Sequence, residues 1–263
     1  KCLELVLHNG VDPLTGKEVG LKTGDPLKFT GIEQIMDALK AQCIHCYDNI
    51  MRGYNIVVGY HITYMPTSFS SMVMEGCIDS GKCTQEGGVK YTNTTTFFCG
   101  AASVADSLAA IDTLVFQKHK LTMAQLLDAM DKNFKGCEDI RQMLINDAPK
   151  FGNDIDYVDA FARKIVNYCA DYVQQPDHKD ARGGQYCLSN LSETLHVTHG
   201  HSTGASADGR LAGTPLSDNA SPSMGVDVQG PTAAMNSVAN MQQIHCHSGT
   251  LYNIRFDPKS ISG

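Results

Sequence analysis

The feature that most constrains the fold is a block of helical periodicity over residues 101–173, in which apolar positions recur at three- and four-residue spacing. Val104, Leu108, Ile111 and Val115 make a first stripe. Met123, Leu126, Leu127, Met130 and Phe134 make a second, opened by Thr122 and Gln125 at capping-box spacing. Residues 138–147 predict a short helix, and Ile155, Val158, Phe161, Ala162, Ile165, Cys169 and Val173 a longer one that Pro176 closes. Strand-like segments stand on either side, Tyr91 to Phe98 after Gly87-Gly88 and Tyr186 to Thr198 after Gly183-Gly184. The pattern is that of a mixed α/β chain.

The flanks are read in the same way. Residues 8–28 carry Gly, Pro, Asp and Thr at close intervals and predict an irregular surface connector. Thr30 precedes Glu33 by capping-box spacing, and Ile32, Ile35, Met36, Leu39, Cys43, Cys46 and Ile50 predict a long amphipathic helix with both cysteines on its apolar stripe. A shorter helix is expected over Ser68 to Asp79. The stretch from Gly200 to Gly230 is rich in Gly, Ser, Pro and Asp and is too long for an idle loop. Pro231 suits the first residue of a helix running to Met241, and Gly249 to Phe256 alternates as a strand would. There is no internal repeat.

Composition narrows the partners. With 263 residues, 42% of them hydrophobic, the chain can bury one large domain or two small ones. Lys and Arg number 21 against 28 acidic residues, and without a basic run this argues against nucleic acid. Apolar runs break off before the roughly 18 residues of a membrane span and the start lacks a signal-peptide core, so a cytoplasmic protein without membrane contact is expected. The ten cysteines are scattered through helical patterns, which predicts reduced thiols and suits a reducing or oxygen-poor compartment.

Local constellations favour packing over chemistry. Cys43-Ile44-His45-Cys46 has the spacing of a zinc half-site, with His245 and His247 as further donors, yet the helix already accounts for both thiols and no metal is expected. His199-Gly200-His201 reads as solvated loop histidines. Cys77 is placed near a helix C-terminus, the wrong end of the dipole for a thiolate, and is expected to pack. Gly204 to Arg210 lacks both phosphate-loop spacings; Asp208-Gly209 predicts a tight turn and Arg210 a partner for a carboxylate.

The order of motifs goes further. His8-Asn9-Gly10 through Gly20, Ala105-Asp106-Ser107-Leu108-Ala109-Ala110-Ile111, Arg141-Gln142-Met143-Leu144, Gly152-Asn153-Asp154 with Tyr157-Val158-Asp159, Gly204-Ala205 through Asp208-Gly209-Arg210, and Gly230-Pro231-Thr232-Ala233 together resemble the pyruvate formate-lyase domain of glycyl radical enzymes. The resemblance is collinear over essentially the whole chain. It implies an α/β fold, a fragment holding about half of a ten-stranded α/β barrel, with 1–263 an internal part of the domain. In that family a radical on a backbone glycine passes to a cysteine, whose thiyl abstracts hydrogen from substrate. The radical-cysteine loop is expected upstream of residue 1 and the glycyl radical domain downstream of residue 263. No catalytic residue is therefore expected within the chain, and the chain alone is expected to be inactive.

The resemblance also implies a pocket wall along Leu188 to Thr198, with Glu193, Thr194, His196 and Thr198 as substrate-binding candidates. Alternation along a strand would aim Thr194, His196 and Thr198 to one face, and Asp208, Gly209 and Arg210 would form a structural loop. The polar end of the strand favours a small polar substrate. The implied activity is radical abstraction followed by elimination, a dehydratase or lyase. Formate acetyl transfer, aryl-acetate decarboxylation and addition to fumarate are the family alternatives, and a thiol- and histidine-rich metal-binding or interaction module the alternative of another class. The implied cofactor is a protein-derived glycyl radical installed by a radical-SAM iron-sulfur activating enzyme, with none bound by this chain. The implied partners are that enzyme, the substrate and a second copy in a homodimer.

Overall fold

A computed structural model describes residues 1–254. The elements in chain order are α1 (Cys2–Leu7), α2 (Ile32–Tyr64), the one-turn helices α3 (Ser68–Ser71) and α4 (Cys77–Ser80), β1 (Asn93–Phe97), α5 (Ala101–Ile111), α6 (Met123–Asp131), α7 (Glu138–Asn146), α8 (Asp156–Val173), β2 (Gln185–Ser189), α9 (Leu195–His201) and α10 (Pro231–Asn240). β1 and β2 pair in parallel, Asn93 opposite Gln185 and Phe97 opposite Ser189. Parallel neighbours need a long crossover, and the helical block α5–α8 supplies it. On β1 only Thr94 and Thr96 are buried, whereas Tyr186 to Ser189 of β2 are buried on both faces.

α5 is the centre of the core. Ala101, Ala102, Ala105, Ala109 and Ala110 are fully enclosed, and their small side chains let α8 lie close against the helix through Val158, Ala162, Ile165 and Val166. α8 also packs on α2, α10 and β2. At its end α5 opens into a π turn, Asp112–Gln117, where buried Asp112 accepts hydrogen bonds from Gln117 Nε2 (2.8 Å) and the Tyr157 hydroxyl. The Thr122/Gln125 box forms reciprocally, at 3.2 and 2.9 Å.

Several expectations change. α2 runs on to Tyr64 because no breaker appears before Pro66, and Gly53 and Gly59 are tolerated inside it. Its N-cap is Gly31, so the Thr30/Glu33 box does not form; Gln34 Oε1 instead accepts the Thr30 N–H at 2.7 Å. The apolar stripe is narrower than expected, leaving Cys43 buried but Cys46 exposed. The expected helix over Ser68 to Asp79 breaks into α3 and α4 at Gly76 (φ +97°), where a Cβ would sit 2.8 Å from the Gly88 carbonyl. Cys77 therefore begins α4 instead of lying near a helix C-terminus, and it is buried.

The segment Tyr186 to Thr198 is not one strand. It leaves the sheet after Ser189, turns at Glu193 (φ +48°) and continues as α9. Of the strand expected over Gly249 to Phe256, one parallel bridge forms, Asn190 with Thr250; Arg255 and Phe256 lie outside the described residues. Among the described residues no helix is long and apolar enough to cross a membrane.

The loop from Gly200 to Gly230 is strapped to the helices. Arg210 donates to the carbonyls of Gly204, Leu211 (3.0 Å) and Thr214 (2.7 Å) and to Ser206 Oγ (3.1 Å), so carbonyls hold it where a carboxylate was the alternative. Asp208 Oδ1 accepts the Arg210 N–H (3.2 Å), and Gly209 turns at φ +92°. From the helical side, Arg141 Nε reaches the Gly209 carbonyl (2.9 Å), Lys150 Nζ reaches Asp208 O (3.2 Å), and Glu4 Oε1 accepts the Gly204 N–H (2.6 Å).

Candidate functional site

Two parallel strands release the chain at the same edge of the sheet, which is where open α/β sheets build their sites. β1 is followed by Phe98, Cys99 and Gly100, and β2 by Asn190, Leu191 and Ser192. The long loop returns to this edge. Its Leu216 N–H donates to the His196 carbonyl (3.1 Å), and Ser217 exchanges hydrogen bonds with Ser103 at the start of α5 (2.8 and 3.1 Å). These anchors bring Asp218 and Asn219 against the turn that precedes α9.

Ser192 is the hub. Its N–H donates to Asn219 Oδ1 (2.6 Å), its Oγ accepts the Asn219 N–H (3.1 Å), and its hydroxyl donates to Asp218 Oδ1 (3.0 Å). His196 Nδ1 lies 3.2 Å from Ser192 Oγ and 3.5 Å from Asp218 Oδ1. Asn253 Nδ2 donates to Asp218 Oδ2. Glu193 and Asn219, both non-glycine residues at positive φ (+48° and +51°), flank this pair of hydrogen bonds, and left-handed backbone of that kind persists only where neighbours over-determine it. Burial above all, with Asp218 nearby, pushes the Cys99 thiol up to about 11. Asn190 is fully buried, and among the described residues its Oδ1 has no partner.

Serine, histidine and aspartate together suggest a nucleophilic triad, but the geometry refuses it. A triad needs the acid on one ring nitrogen and the nucleophile on the other, and here both contact Nδ1. The arrangement fixes the ring. A carboxylate and a hydroxyl beside Nδ1 orient the imidazole, and among the described residues Nε2 makes no hydrogen bond. The site can bind and orient a polar group.

Of the four wall candidates, the structure brings only His196 into this cluster. Thr194, His196 and Thr198 do not share a strand face, since they lie on and beside a helical turn; Glu193, Thr194 and Thr198 are exposed. Ser192, Asp218, Asn219 and Cys99 escaped the sequence reading. The signal for them is topological, since Cys99 and Ser192 follow the observed strands β1 and β2 at the same end while the sequence pattern ran the second strand on past Ser192 to Thr198, and nothing in the loop's composition singled out Asp218. Asp208, Gly209 and Arg210 stand apart from the cluster, as the clamp of the loop. Among the described residues no group of three or more His, Cys, Asp or Glu is placed to hold a metal ion.

Comparison with known proteins agrees with this architecture. The chain is 38% identical, over its full length, to trans-4-hydroxy-L-proline dehydratase of Clostridioides difficile and covers 33% of that protein. It is 35% identical to isethionate sulfite-lyase of Oleidesulfovibrio alaskensis, over its full length and 32% of the relative. The glycerol-bound B12-independent glycerol dehydratase of Clostridium butyricum superposes on the whole chain with a TM-score of 0.94 at 35% identity, again over 33% of the known chain. The chain thus spans about a third of the length of these relatives, as a fragment of the expected α/β barrel would. A model described as glycine radical matches residues 216–263, so it takes in Asp218, Asn219 and the second part of the long loop. The model described as pyruvate formate lyase-like matches residues 1–200, and with three-quarters of its length so matched the chain belongs to the pyruvate formate lyase-like family of glycyl radical enzymes.

Proposed function

We propose that this chain forms one wall of the substrate site in a glycyl radical dehydratase or lyase that acts on a small polar substrate. The observation that carries the reading is the hydrogen-bonded cluster at the carboxyl ends of β1 and β2, where Ser192 and Asp218 hold His196 at Nδ1 and leave Nε2 as the ring nitrogen to meet a hydroxyl, carboxylate or sulfonate in this reading. The names of the relatives support the substrate class, since hydroxyproline, isethionate and glycerol all carry a hydroxyl. In such chemistry a thiyl radical takes hydrogen from one carbon and a group on the neighbouring carbon departs. The chain's own part is to hold the substrate's polar group and to keep bulk water from it.

We assign substrate contact to His196 and keep Glu193, Thr194 and Thr198 as the outer rim of the same turn. Residues 1–200 supply barrel wall in this reading, and the segment from 216 onward begins the module that carries the radical glycine. The radical cysteine lies in the part of the enzyme preceding residue 1, the glycyl radical is installed by a radical-SAM activating enzyme, and the complete enzyme works as a cytoplasmic homodimer.

The test is anaerobic activation of the complete enzyme, followed by product analysis with trans-4-hydroxy-L-proline, isethionate, glycerol and pyruvate plus coenzyme A. Elimination from one of the hydroxylated compounds supports the proposal. Acetyl transfer from pyruvate, with none of the eliminations, overturns it.

A further inference from the structure

A second concave surface lies at the other end of the sheet, away from the cluster just described. The segments that lead into β1 and β2 border an open cleft of about 510 Å³, a volume in the range of small-molecule sites. Its charged residues are Lys90 and Arg182, with Tyr91, Thr92 and Asn93 between them, and no acidic or aliphatic side chain lines it. The two segments are pressed together, since a Cβ on Gly87 would stand 2.5 Å from the Arg182 carbonyl oxygen and one on Gly184 2.6 Å from Thr92 Cγ2.

Arg182 is held rigidly. Its side chain is 18% exposed, and its Nε and Nη2 both donate to Oδ2 of Asp180 (3.1 and 2.7 Å), whose side chain is fully buried. Nη2 also reaches Thr94 Oγ1 (2.7 Å) and the Asn93 carbonyl (3.2 Å), and Thr94 Oγ1 donates to the same Asp180 oxygen (2.6 Å). This network occupies one edge of the guanidinium, and among the described residues Nη1 makes no hydrogen bond. Lys90 Nζ lies 5.5 Å from the centre of the Tyr91 ring and 2.7 Å from Glu75 Oε1. That ion pair is exposed on both sides, contributes little, and yields to a more highly charged partner. Tyr91 is 82% exposed, its ring open beside the two cations.

We propose that this cleft binds the phosphate group of a small molecule that lays a flat apolar portion on Tyr91. A phosphate monoester carries up to two charges and three acceptor oxygens, which suits donors that come from different sides: Arg182 Nη1, Lys90 Nζ, and the Asn93 amide and Thr92 hydroxyl beside them. A carboxylate has one charge and two oxygens in a plane, and leaves some of these donors unused. The Tyr91 ring supplies the stacking face. The length of β1 and β2, roughly 15 Å, separates the cleft from Ser192 and His196, so its ligand is not the substrate; it ties the entrances of the two strands together.

The inference does not rest on the proposed substrate reading, and its test needs no radical. The complete enzyme, purified without phosphate, is titrated by calorimetry with inorganic phosphate, phenyl phosphate and benzoate. Both phosphates should bind, phenyl phosphate the more tightly, and benzoate more weakly than either. Lys90→Ala, at an exposed position, should weaken both phosphates about tenfold or more, and Tyr91→Ala should weaken phenyl phosphate alone. Arg182→Lys keeps a charge beside Asp180 while removing Nη1, and should also weaken both. No saturable binding of either phosphate overturns the proposal, as do phosphate binding undisturbed by Lys90→Ala and benzoate binding as tight as that of phenyl phosphate.

Discussion

Two residues in the core make predictions that depend on one side chain each. Asp106 of α5 is enclosed; its Oδ1 accepts the Phe151 N–H (2.7 Å) and its Oδ2 lies 3.4 Å from Ser223 Oγ, yet burial outweighs these and the charge of Lys150 and raises the carboxyl from 3.8 to about 7. A carboxyl raised on folding binds its proton in the native state while the unfolded chain has released it. Its stabilising contribution is complete below about pH 4 and is lost as pH rises to about 7. Asp106→Asn removes that slope, so the melting temperature of wild type should fall relative to the variant between pH 5 and pH 7.5. Parallel curves would contradict the burial argument. Gly209 makes the second case. At φ +92° an added Cβ would stand 2.6 Å from Ile145 Cγ1, so Gly209→Ala should cost about 1–3 kcal/mol in denaturant unfolding. A solvent-exposed turn would give a silent change.

At the scale of elements, the long loop and the α9 turn show where sequence patterning succeeds and where it stops. Helices whose apolar faces pack on the core were legible, as with Val158, Phe161, Ala162 and Ile165 of α8, because burial imposes a period of 3.6 residues. The path after β2 was not. Thr194, His196 and Thr198 alternate in sequence, but the left-handed turn at Glu193 is fixed by Asn219 holding Ser192 from twenty-seven residues away, and local composition cannot reveal that hydrogen bond. The loop itself depends on Arg210, whose fork satisfies the carbonyls of Gly204, Leu211 and Thr214 together. A lysine is a single point of charge and cannot serve three carbonyls in one plane. Arg210→Lys should therefore lower stability by about 2 kcal/mol and open residues 205–225 to limited proteolysis, while charge alone would leave both unchanged.

At the scale of the molecule, the class of fold and the family were readable from motif order, and the site was readable only in part. His196 was named from the sequence, while Ser192, Asp218 and Asn219 acquire meaning only once β1 and β2 lie parallel and the loop returns to their carboxyl ends. The glycine radical match begins at residue 216 and so takes in Asp218 and Asn219, the residues of the returning loop that hold Ser192 and His196. If the cluster binds substrate, its loss should weaken binding and leave radical formation intact. The measurement is steady-state kinetics of the activated complete enzyme carrying His196→Ala, with the glycyl radical doublet quantified by electron paramagnetic resonance in the same samples. The account predicts a doublet of wild-type amplitude and a KM raised by about tenfold or more, the loss of one hydrogen bond to substrate. Wild-type KM and kcat alongside an unchanged doublet would contradict it.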